Sequence, residues 1–87
     1  MSISHADFYR ILPKALHSYT YQTSPPNIIV DMPDGKLTIS LATQTVHKIA
    51  SLELPSTQID FMFDNIKKED IESFFKQFEL SFRRGGG

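Results

Sequence analysis

IDFMFDNIKKEDIESFFKQFELSF, residues Ile59 to Phe82, changes its apolar period partway along. Ile59, Phe61 and Phe63 alternate with Gln58, Asp60 and Met62, the period of two expected of a strand with one buried face. From Ile71 onward the apolar positions are Phe74, Phe75, Phe78 and Phe82, spaced three, four, seven and eleven residues along, which is one stripe of a helix. Lys67, Lys68, Glu69, Glu72, Lys76 and Glu79 occupy the other side. Four phenyl rings on one helix need an apolar surface to meet, and the alternating strands just upstream supply it. Asp64 and Asn65 are suited to cap this helix, Glu69, Asp70 and Glu72 complement its positive end, Arg83 and Arg84 its negative end, and Gly85 is placed to stop it.

Further upstream, Leu37, Ile39 and Leu41 alternate with Lys36, Thr38 and Ser40, and the β-branched run Ile28-Ile29-Val30 makes Asn27 to Met32 a strand. Pro33-Asp34-Gly35 between them is a hairpin signal, with Gly35 the residue free to take positive φ. After a turn at Thr43-Gln44-Thr45, Val46 to Leu54 reads as one further strand, with Ala50, Leu52 and Leu54 toward the core and a bulge near His47 or Lys48 to absorb the phase of Ile49. Pro55-Ser56 is then the turn into the strand at Ile59.

At the start of the chain, Ser4 precedes Asp7 by three residues and Phe8, Ile11, Leu12 and Ala15 follow at helical spacing, predicting a first helix from near His5. Pro13 should end or bend it by Leu12. Leu16 to Gln22 suits a short strand or an extended lead-in, and Thr23-Ser24-Pro25-Pro26 an extended, polyproline-like connector. The expectation is one α+β domain over residues 1–87. It is a two-layer sandwich in which an antiparallel meander of four to five strands carries an N-terminal and a C-terminal helix on one face, and residues 83–87 form a flexible Arg/Gly tail. Thr38, Ser40, Ser51, Glu53, Gln58, Asp60 and Met62 would line the opposite, polar face.

Composition bounds the function. The 87 residues leave no room for a second core, and 40% hydrophobic content is that of a globular chain. Nine Lys and Arg oppose ten Asp and Glu, without the basic excess of a dedicated nucleic-acid binder. Cysteine is absent, which excludes disulfides and thiolate chemistry and points to the cytoplasm. The opening MSISHADFYR lacks the basic flank and apolar core of a signal peptide, and no apolar run approaches the ~20 residues that span a bilayer, so no membrane partner is expected.

No catalytic, cofactor or metal site is expected. His5, His17 and His47 lack metal-ligand spacing, and no Gly-x-Ser-x-Gly, phosphate-cradling loop or dinucleotide fingerprint occurs. Asp34 and Asp64 are accounted for by turn and cap roles, with Asp31 and Asp60 near strand ends. The preferred function is a non-catalytic protein-interaction module, self-associating, that uses the polar sheet face or an exposed strand edge. Phe75, which widens the apolar stripe, and Met62 on the polar face are the candidate interface residues. The alternative is an anion or nucleic-acid-backbone binder using Arg83 and Arg84. Lys67 and Lys68 would not join that patch, being ~24 Å away along the helix.

Overall fold

The computed structural model describes residues 1–86, the side chains of Ile49 and of residues 84–86 lying outside that description. The elements run α1 (His5–Ala15), β1 (Tyr21–Ser24), β2 (Asn27–Met32), β3 (Gly35–Leu41), β4 (Thr45–Ile49), β5 (Leu52–Ser56), β6 (Ile59–Asp64) and α2 (Lys68–Gly86). This is the expected α+β class: two terminal helices lie on one face of an antiparallel meander. The strand order is β1-β2-β3-β6, and β4 and β5 pair only with each other, as a separate hairpin.

Local chemistry accounts for α1 up to its proline. Ser4 is the N-cap, its Oγ accepting from the Asp7 amide at 3.1 Å. Of the two outcomes expected at Pro13, an end or a bend, the end does not occur: α1 continues to Ala15, and the Leu16 amide still donates to the Leu12 carbonyl at 2.9 Å. Pro13 is exposed, whereas Ala15 and Leu16 are fully buried. Burial of those two side chains outweighs the one hydrogen bond that proline cannot make.

The prolines at 25 and 26 also act differently from expectation. Thr23 and Ser24 are paired strand residues, and Pro25-Pro26, joined by a cis peptide, make the tight turn that sets Ser24 opposite Asn27. A strand therefore does precede Asn27. At the next hairpin the positive φ belongs to Asp34 (66°), not Gly35. Gly35 is required for space instead, because a Cβ there would collide with the Asp64 carbonyl oxygen and press on that of Asn65. Asn65, expected to cap α2, donates its side-chain amide to the Asp34 carbonyl at 2.6 Å and ties the two turns together. Helix α2 begins three residues later, and the Asp70 and Ile71 amides both donate to the Lys67 carbonyl. It extends to Gly86, one residue beyond the expected stop at Gly85, within the ordinary latitude of helix ends; Gly87, the last residue of the expected tail, lies outside the described residues.

Register places Tyr21, Val30, Leu37 and Phe63 in one row of the inner face, and Ile28, Ile39 and Phe61 in another. The helices close this face, and the contact between them is aromatic. Phe8 of α1 stacks on Phe82 of α2 with centroids 5.1 Å apart, and Phe82 on Phe78 at 4.4 Å. Phe74, wholly buried, meets Phe61, Phe63 and Tyr19 edge-on. Such geometry adds to the burial of area that dominates the stability of a chain this small.

Candidate functional site

The largest departure from expectation lies between β3 and β6. Val46 to Leu54 is not one strand with a bulge: the chain reverses at Ala50-Ser51, where Ala50 takes φ 55°, and Ile49 pairs with Leu52. Pro55 and Ser56, expected to turn, lie in β5 opposite Val46 and Thr45. The twelve residues 45–56 thus form a two-stranded arm, and β4 and β5 pack extensively only on one another. Leu52 is 62% exposed, Val46 59% and Leu54 38%, on both faces of the hairpin. Ala50, Leu52 and Leu54, expected in the core, are outside it because no helix covers the arm. Lys48 and Glu53 face each other across it at 3.6 Å.

The base of the arm is held as firmly as its tip is free. Thr57, just after β5, is 1% exposed, and its Oγ1 donates to the Ile3 carbonyl at 2.8 Å. The Thr57 amide donates to the Met1 carbonyl, and the Met1 amino group donates to the Thr57 carbonyl at 2.7 Å. On the other side, His5 Nε2 donates to the Ala42 carbonyl and the His5 amide to Gln44 Oε1, both at 2.8 Å. The N-terminal segment clamps both roots of the hairpin.

A second feature lies on the helical side. Phe61, Phe75, Phe78 and Phe82, with Met1, line an open apolar groove of about 390 Å3, with Glu79 and Arg83 also along it. Phe75 is half-buried, its ring edge-on to Phe61 at 5.0 Å and to Phe63 at 5.6 Å. It is therefore largely a core residue that leaves one surface in the groove. Met62, 70% exposed, points to the opposite face of β6, in a row with Thr38, Ile29 and Gln22. The two candidate interface residues do not share a surface. Arg83 is exposed and lies along the groove with acidic Glu79; the side chain of Arg84 is outside the described residues.

The polar outer face is smaller than the sequence implied, since Ser51 and Glu53 belong to the arm and Gln58 to the connector after it. What remains includes the Asn27–Ser40 pair, where the Ser40 hydroxyl donates to Asn27 Oδ1 at 2.8 Å, and Asp60 beside it. His5 serves the clamp, His17 Nδ1 donates to the Lys14 carbonyl of its own helix end while Nε2 lies within hydrogen-bond distance of the Ser18 hydroxyl, and His47 lies exposed on β4. Among the described residues no group of three or more His, Asp or Glu side chains converges to hold a metal ion. No helix among them is long and apolar enough to cross a membrane. Burial, and secondarily the Asp70 carboxylate, push the Tyr19 hydroxyl above its ordinary pKa.

The arm was not anticipated as a site. Its one advance signal was the phase break at Ile49, which a chain reversal satisfies as well as a bulge does. Comparison with protein-family models, with curated proteins and with solved structures found no match for this chain.

Proposed function

We propose that the protein is a small, non-catalytic interaction module that binds protein through the β4–β5 arm, acting in the cytoplasm as its lack of cysteine suggests. The observation that carries this reading is the exposure of Val46, Leu52 and Leu54 on a hairpin with no covering layer. A two-stranded hairpin alone is marginal in water, and apolar side chains on a projecting element gain most from a partner's surface. The clamp at Thr57 and His5 supports it further, because a firmly based arm loses less orientational freedom on binding.

Amide hydrogen exchange tests the proposal. In dilute buffer the amides of residues 45–56 should exchange much faster than those of β2 and β3. In concentrated cell lysate, or at high protein concentration, the arm amides should slow while the sheet amides do not change. Arm amides that exchange equally fast under every condition would overturn the reading.

A further inference from the structure

We infer that the arm's partner is a second copy of this chain: the Leu52–Leu54 face of one copy seats on the aromatic groove along α2 of the other, and the exchange is reciprocal. This rests on the interaction reading above and names its partner.

Three observations converge on a second copy. The first is that one chain carries both an uncovered apolar projection and an uncovered apolar recess of about 390 Å3. A two-fold pair fills both recesses with both projections and leaves none over, which is how self-complementary interfaces close.

Area is the second. The chain exposes 5908 Å2, where a compact monomer of 9.9 kDa would expose about 5,200 Å2. The radius of gyration is 13.6 Å and the long axis 47 Å against 23 and 20 Å, while 87 residues packed compactly would give about 12 Å. An interface burying an area equal to that excess, about 700 Å2 on each of two copies, would remove about 1,400 Å2, inside the range of specific interfaces.

The third is charge. The arm carries Lys48 and Glu53 as a neutralised pair, and among the described residues the groove is lined by one acid, Glu79, and one base, Arg83. With a formal charge of −1 per chain, two copies meet without appreciable repulsion, and among the described residues no single-sign cluster along the groove selects an oppositely charged stranger instead.

The absence of cysteine makes the test direct. Sedimentation equilibrium on the full chain, from low micromolar to near-millimolar concentration, should show a monomer–dimer equilibrium that resists salt. Leu52→Asp with Leu54→Asp should raise its dissociation constant by about tenfold or more, with the circular dichroism melt of the dilute, monomeric chain unchanged because these side chains are exposed. Mixing the single variants Leu54→Cys and Glu79→Cys should then give a crosslink between the two different chains, in preference to one between Leu54→Cys and the outer-face control Met62→Cys. A dimer that crosslinks through Met62 instead overturns the arm-in-groove pairing. A strict monomer whose arm is still protected in lysate overturns the second-copy inference and leaves the interaction reading standing. A strict monomer with an unprotected arm overturns both.

Discussion

Residues 27–41 and residues 45–56 have similar sequence patterns and opposite fates. Both are hairpins of short alternating strands, yet Ile28, Val30, Leu37 and Ile39 are wholly buried while Val46, Leu52 and Leu54 are exposed. The difference is what lies above them. β2 and β3 sit under two helices that bring Phe8, Leu12, Phe74 and Phe78 to one layer, whereas among the described residues no helix packs extensively on the arm. An alternating pattern is a request for cover, and cover is supplied by elements far away in the chain. In this molecule one hairpin becomes the body and the other a handle.

The contrast can be broken first at its strongest point. Phe78→Ala should lower the unfolding free energy by about 3–5 kcal/mol in chemical denaturation, because its ring is held between Phe74, Phe82 and Phe61. A loss under half of that would mean the aromatic layer is looser than its packing implies. Gly35→Ala should cost about 1–3 kcal/mol, since the new Cβ meets the Asp64 and Asn65 carbonyls, which belong to backbone and cannot swing aside. Thr57→Val leaves the Ile3 carbonyl without its hydroxyl donor and should cost about 1–3 kcal/mol. The same variant should also quicken amide exchange throughout the arm, which would sharpen the distinction between a clamped base and a free tip.

On the arm itself the numbers should collapse. Leu52→Asp or Leu54→Asp should shift the stability of the dilute chain by no more than about 0.5 kcal/mol, and a loss comparable to that of Phe78→Ala would show that the arm belongs to the core. The smallest effect is one of pH. Tyr19 has its pKa raised in the folded chain, so the native state holds the proton more tightly than the unfolded state does. That contribution is complete below the unfolded value near 10 and disappears as pH rises through the folded value. Denaturation curves taken from about pH 9 to about pH 11 should therefore show a steeper loss for the parent chain than for Tyr19→Phe.

Much of the fold was legible because its signals are local. The period-two run at Ile59–Phe63, the period-3.6 run at Ile71–Phe82 and the Ser4 cap each state their own geometry. Pro13, Pro25 and Pro26 misled for the same reason: each is a strong local signal that neighbouring burial or pairing overrode. Of the candidate site, Phe75 was legible as the residue too many for the stripe, and it does line the groove. The arm was not legible, because alternation at Ala50, Leu52 and Leu54 reports that a strand has an apolar side without reporting whether anything meets it.

By itself, then, the sequence determined that two amphipathic helices flank an antiparallel sheet, and that thiol chemistry is excluded. Those follow from side-chain periodicity and composition, which act over one or two turns of chain. Only the tertiary structure decided that β3 pairs with β6 across an excluded hairpin, that Thr57 and the first residues clamp its base, and that Leu52 and Leu54 stay outside. Those outcomes depend on which distant surfaces compete for the same apolar face. The two helices between them cover one sheet, and the hairpin that cannot fit beneath them is left projecting.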